Sequence, residues 1–220
     1  VISKYKHIIW DWNGTLFNDV ELSVSVVNNL LTKRNLAPLS IETYKEIFTF
    51  PVKDYYAAAG FDFEKESFET LGKEWMDEYE QRKHECGLSN SVLPLLEKVS
   101  AMKIEQSILS AYSQHTLVEV VSRYGLLKYF SHLVGLDNIY ASSKALRGKE
   151  LMKKLALKNG DALLIGDTTH DYDVATEIGA HCILLASGHQ NKKNLLRCGV
   201  TVFNSTEELF DKIKFSLEKI

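Results

Sequence analysis

Three short segments of this chain end in residues that could do chemistry together. The apolar run Tyr5 to Trp10 closes on Asp11, the run IEQSILS closes on Ser110, and DALLIGD closes on Asp167. Each run reads as a buried strand, rich in branched aliphatic residues and cut off abruptly. In open parallel sheets the ligand crevice lies beyond the carboxyl ends of the strands. Carboxylates that meet there can hold a hard cation such as magnesium, which one or two carboxylates bind together with waters and a substrate phosphate. Any one of these residues, taken singly, is better read as a turn former or helix cap. Their repetition at three strand ends is what points to a cation and a phosphate.

The elements that must position these residues alternate in kind. After the first strand, Val20, Val24, Val27, Leu30 and Leu31 recur at helical spacing until Pro38 stops the helix. Ser40 is placed to cap a helix running to Phe48, and Pro51 to open another that Gly60 closes. Glu64 to Cys86 reads as a charged helix with Phe68, Leu71, Trp75 and Tyr79 on its apolar stripe. Residues 18–88 therefore contain no convincing strand and are expected to form an all-helical insert. Beyond them come a helix near Leu93–Met102, the strand ending at Ser110, and a helix over Thr116–Tyr124. A short strand at His132–Gly135 and a helix ending near Leu157 precede DALLIGD. A helix over Thr169–Gly179, the strand HCILLA, a helix over Asn191–Cys198, the strand VTVF and a helix over Thr206–Leu217 complete the chain. Alternating strands and helices predict an α/β fold: a three-layer, Rossmann-like parallel sheet formed by 1–17 and 89–220, with 18–88 inserted.

Composition narrows the function. The 26 Lys and Arg against 29 Asp and Glu give a net charge of −3, which argues against a general nucleic-acid binder. No apolar run approaches the ~18 residues of a membrane span, and the first residues turn polar too early for a signal-peptide core. Three cysteines without close-pair spacing suggest neither a disulfide framework nor a zinc site. The expectation is a soluble cytoplasmic protein, a monomer or weak homodimer, without membrane or nucleic-acid partners.

With WDWNGTLF at 10–17, ILSAYS at 108–113 and GDTTHD at 166–171, the sequence resembles the haloacid dehalogenase superfamily of phosphatases and related phosphoryl-transfer enzymes along essentially its whole length. The resemblance implies a nucleophile and magnesium ligand at Asp11, with Trp12 and Ala111 at the substrate. It implies a phosphate contact at Ser110, metal ligands at Asp167 and Asp171, and a further one in the backbone carbonyl of Asn13. A lysine is implied before the DALLIGD strand. Lys144, at a loop-to-helix junction, is preferred to Lys149, which falls inside the helix. Its ammonium would offset the charge of the attacking carboxylate and of the phosphoryl group. The insert matches the small helical cap of such enzymes, from which Lys53 could reach a substrate, although a solvated lysine is as good a reading. Tyr55 and Tyr56 read as cap core, and GHQNKK at 188–193 as a solvated loop in preference to a lining of the rim.

Asn13 departs from the pattern. Phosphatases of this kind usually place a second aspartate there, as general acid and base, and an amide cannot trade protons near neutral pH. His170 and His115 are chemically able to substitute. The expected activity is magnesium-dependent hydrolysis of a small phosphorylated metabolite through an aspartyl-phosphate. A phosphotransferase or mutase on the same core, and a phosphate-binding protein with weak turnover, are the alternatives. Restoring a carboxylate at position 13 is expected to raise alkyl phosphate hydrolysis by up to ~10²–10⁴.

Overall fold

The computed structural model describes residues 2–136 and 144–217. Its centre is a parallel sheet of β1 (His7–Trp10), β4 (Glu105–Ser113), β5 (His132–Leu136), β6 (Ala162–Gly166), β7 (His181–Leu185) and β8 (Thr201–Phe203). The spatial order is β5-β4-β1-β6-β7-β8. The chain thus builds outward from β1 in one direction, then crosses back and builds outward in the other. The reversal falls beside β1, which pairs with β4 on one side and β6 on the other. It is the switch point at which such sheets open a crevice.

Strand periodicity sends alternate residues to opposite faces. Ile8 and Trp10 join Ile108, Leu163 and Ile165 in one apolar cluster, and Ile9 joins Leu109 and Leu164 in another. The first is covered by α5 (Val92–Ala101), α6 (Gln114–Arg123) and α10 (Thr206–Leu217), through residues such as Leu96, Val121 and Leu209. The second is covered by α7 (Lys144–Lys154) and α8 (Thr169–Ile178) through Leu151, Val174 and Ile178. Ile8, Ile9 and Trp10 are completely buried. At ~1.5–3 kcal/mol for each fully buried apolar side chain of this kind, β1 is fixed before any polar group at its end is considered.

Residues between β1 and β4 are mainly helical: α1 (Val20–Lys33), α2 (Ile41–Ile47), α3 (Val52–Ala59) and α4 (Phe68–Arg82). They pack around a cluster of their own that includes Val27, Leu30, Tyr44, Tyr55, Tyr56 and Leu71. Ser40 and Ser67 cap α2 and α4 by accepting from the backbone N–H of Thr43 and Thr70. The second cap moves the start of α4 from the expected Glu64 to Phe68.

Two expectations about strands are corrected. The insert is not strand-free at its margins: β2 (Phe17–Asn18) and β3 (Gly87–Leu88) pair antiparallel where the chain leaves and rejoins the sheet. Two residues each are too few to show period-two alternation. Also, β4 does not end at Ser110 but continues to Ser113, with a register irregularity against β5 between Leu109 and Ser113.

Candidate active site

Asp11 leaves the end of β1 with its N–H donated to the Ile165 carbonyl of β6, so the ladder itself aims the residue. Asp167 follows β6 directly. Asp171 sits in the first turn of α8, where it and Thr168 form a capping box. One Asp171 oxygen accepts from the Thr168 hydroxyl at 2.7 Å and from the Thr168 and Asp167 N–H groups at 3.0 and 3.2 Å. The other faces the crevice. A single motif thus positions two acids by helix-capping chemistry.

Backbone approaches close from three sides. A Cβ on Gly166 would meet the Asp171 side chain at 2.3 Å, and one on Gly188 would meet Asp167 Oδ2 at 2.1 Å. Gly14, at φ +72°, turns the chain under Asp167, whose carboxylate accepts from Thr15 Oγ1 at 3.0 Å and from the His189 N–H at 2.6 Å.

Lys144 opens α7 and is buried, donating to Asp11 Oδ1 and Asp171 Oδ1, both at 2.6 Å. Lys149 instead donates to Glu177 on the exposed surface. The structure therefore brings Asp11, Lys144, Asp167 and Asp171 together with Ser110 and Ala111, which line the same cavity of 190 Å³. Ser110 Oγ, buried, accepts from the Tyr112 N–H at 3.1 Å.

Trp12, Lys53 and His115 stand outside the cavity, and His170 lines it. The Trp12 ring is packed into the core, stacked on Phe17 at 5.4 Å, because apolar area outweighs nearness to Asp11; only its backbone lies at the turn. Lys53 is exposed with its ammonium over the Phe63 ring, and it does not line the cavity. His115 is exposed on α6. His170 lines the cavity, stacked on Phe50 at 4.6 Å, with Nε2 unpartnered.

Burial and charge set the protonation. Burial drives the Asp11 carboxyl up to about 8, against the pull of Lys144, and Asp171 and Asp167 add to the rise. Asp167 is likewise pushed up to about 6 by burial, opposed by His189. For Asp171, burial is overcome by Lys144 and the capping bonds, which hold the carboxyl low. Lys144 stays cationic because its two carboxylates outweigh its own burial.

The oxygens of Asp11, Asp167 and Asp171 lie within 4.8 Å of one another. One ammonium cannot balance three buried carboxylates, and oxygen donors of this kind suit a hard divalent cation. The donor set fits magnesium.

A second group of residues was not legible in the sequence. Asp19, buried at the start of α1, caps nothing with its side chain. It accepts from Asn13 Nδ2 at 2.8 Å, from the Gly14 N–H at 2.8 Å and from Tyr79 Oη at 2.6 Å. Its other neighbour is His189 Nε2 at 3.2 Å, while His189 Nδ1 meets Tyr44 Oη at 2.8 Å. Burial would lower the His189 pKa, yet Asp19 raises it to about 9. The 188–193 segment is solvated only at its end: Lys192 and Lys193 are exposed, but His189 and Gln190 are buried, and Gln190 Nε2 donates to the Phe48 carbonyl at 2.8 Å.

The chain matches the family model described as haloacid dehalogenase-like hydrolase over residues 8–185. It is 22% identical over 189 residues to a phosphoglycolate phosphatase of Rhodobacter capsulatus, covering 83% of this chain and 85% of that protein. A haloacid dehalogenase-like hydrolase of Streptococcus pneumoniae superposes with a TM-score of 0.81 at 18% identity, over 96% of this chain and 99% of the other. Protein Tyrosine Kinase A of Mycobacterium tuberculosis superposes with a TM-score of 0.78 at 19% identity, over 96% and 98%.

Proposed function

Because the chain belongs to the haloacid dehalogenase-like hydrolase family, we propose that it is a magnesium-dependent phosphatase acting on a small phosphate monoester through an aspartyl-phosphate. The observation that carries this reading is the buried Lys144 held between Asp11 and Asp171, with Asp167 beside them. A phosphatase among the sequence relatives supports the same class.

An Asp11 carboxylate oxygen attacks phosphorus, and the bond to the ester oxygen breaks with its electron pair leaving on that oxygen. Water then attacks phosphorus, and the bond to Asp11 breaks, returning the carboxylate and releasing inorganic phosphate. Lys144 offsets the repulsion between the attacking carboxylate and the phosphoryl group. Ser110 Oγ donates to a phosphoryl oxygen. Asp11, Asp167, Asp171 and the Asn13 carbonyl would hold magnesium, which supplies the positive charge that keeps a carboxyl otherwise pushed up to about 8 ionised. Residues 18–88 act as a cap over the core formed by 1–17 and 89–220. Three unpaired cysteines accord with a reducing, cytoplasmic setting.

The test is a panel of phosphate monoesters assayed with magnesium and with excess chelator, with acid-quenched protein examined for phosphate on Asp11. Turnover that needs magnesium and leaves phosphorylated Asp11 is expected. Full hydrolysis in chelator would remove the mechanism, and binding without turnover would make the chain a phosphate-binding protein.

A further inference from the structure

Resting on the phosphatase reading, we infer that the organic half of the substrate is a single uncharged aromatic ring, so that the substrate is an aryl phosphate monoester. Two independent features of the cavity lead there.

The first is the state of the protons beside the leaving oxygen. Asn13 spends its Nδ2 on Asp19 and on Tyr79 Oη, both at 2.8 Å. The opposite amide orientation would set its carbonyl oxygen against the Asp19 carboxylate, so this one is fixed by electrostatics. Tyr79 gives its own proton to Asp19, Tyr112 gives its proton to Glu80, and both ring nitrogens of His189 are engaged. The one proton this network leaves is that of the Tyr44 hydroxyl, which accepts from His189 Nδ1. Burial makes that hydroxyl a far weaker acid than an ordinary phenol, so a departing alkoxide finds no ready donor in the network. A phenol ionises near ~10, against ~15.7 for water. A phenolate can therefore leave with its electron pair unprotonated and take a proton from solvent afterwards, where an alkoxide cannot.

The second feature is the wall. Phe48, Phe50, Trp75, Met76 and Tyr79 line the same cavity and give it an apolar, largely aromatic wall. Among the described residues the lining holds one lysine and no arginine, and that lysine is already shared between Asp11 and Asp171. A substrate carboxylate, as in phosphoglycolate, would meet aromatic faces and no uncommitted cation. An apolar cavity of about 150 Å³ holds a benzene ring, and this cavity of about 190 Å³, open to solvent, suits a phosphoryl group joined to one small ring. His170 Nε2 is left for a single polar substituent on that ring.

The test has a kinetic and a binding arm. With magnesium, kcat/KM for phenyl phosphate should exceed that for phosphoglycolate and for ethyl phosphate by about 100-fold or more. Equal or reversed rates would overturn the inference while leaving the phosphatase reading intact. Loss of fast ethyl phosphate hydrolysis in His170→Asn would identify the missing donor and overturn it too. In the binding arm, calorimetry compares benzylphosphonate with 3-phosphonopropionate, the uncleavable counterparts of phenyl phosphate and phosphoglycolate. Benzylphosphonate should bind at least about tenfold tighter, and Phe50→Ala should weaken it about three- to tenfold while inorganic phosphate binds as before. This arm decides the inference even if no ester is turned over, an outcome that would count against the phosphatase reading alone. Tighter binding of 3-phosphonopropionate would overturn it.

Discussion

At the floor of the cavity, three buried carboxylates gather around the single ammonium of Lys144, and two of the three are driven toward protonation. At the roof, Asp19, Tyr79, His189 and Tyr44 are just as enclosed and Asn13 is half-buried, yet each finds its partner within the protein. The floor is short of positive charge and the roof is complete. A site with unbalanced charge gains by taking a cation and an anion together, whereas a satisfied one gains only from shape and apolar contact. On the proposed function, floor and roof divide the recognition of one ligand between charge and fit.

Substitutions can break this contrast. Asp11→Asn replaces the proposed nucleophile of the floor and should lower kcat/KM by about 10⁴-fold or more, measured with phenyl phosphate and magnesium. Retained turnover would mean that Asp11 is not the attacking group. Lys144→Ala should cost about 10²–10³-fold by leaving the carboxylates uncompensated, while Lys149→Ala, whose partner is the exposed Glu177, should stay within about twofold. Comparable losses in both would place the needed charge outside the floor.

His7 separates acid lability of the sheet from that of the site. It lies at the opposite end of β1 from Asp11, with Nε2 2.8 Å from Ser107 Oγ, and burial holds its pKa down near 4. Its neutral form is the native one, so its contribution is full above ~6.5 and is lost as pH falls from there toward 4. That loss is roughly 3 kcal/mol. His7→Gln should flatten the fall in thermal midpoint across this window. An unchanged slope would assign the acid sensitivity elsewhere.

The smallest expected effect concerns Asn13. Asn13→Asp would set a carboxylate against Asp19 at a contact now 2.8 Å long, and two such groups cannot both ionise. The new acid would share its proton with Asp19 instead of giving it to a leaving group. The gain on ethyl phosphate should therefore be under about tenfold, not the ~10²–10⁴ of a free general acid, until Asp19→Asn is added. A full gain from the single change would show that the roof is less tightly coupled than its hydrogen bonds imply.

The floor was legible because each of its acids follows a strand or caps a helix, so that local pattern and motif say the same thing. Lys144 was separable from Lys149 by its place at the helix start. The roof was hidden because its bonds join residues far apart in the chain: Asp19 to His189 spans 170 positions and Tyr44 to His189 spans 145. In sequence Asp19 resembles a helix cap, and GHQNKK resembles a solvated loop. The short pair β2–β3 was missed because a ladder of two residues leaves no periodicity to read.

That pair governs how the insert is attached. Phe17 stands opposite Leu88, and the Ser89 N–H donates to the Leu16 carbonyl at 2.9 Å, so the chain departs and returns at neighbouring points. Seen from the sheet, everything between them is one long hairpin loop with its ends already joined. The entropy of closing such a loop grows only logarithmically, by about 0.6 kcal/mol for each doubling of length. Helices could be added to or removed from the segment between β2 and β3 at little cost to the closure of the sheet beneath. The segment that carries the aromatic wall of the cavity is thereby free to diverge while the core that carries Asp11, Asp167 and Asp171 stays fixed.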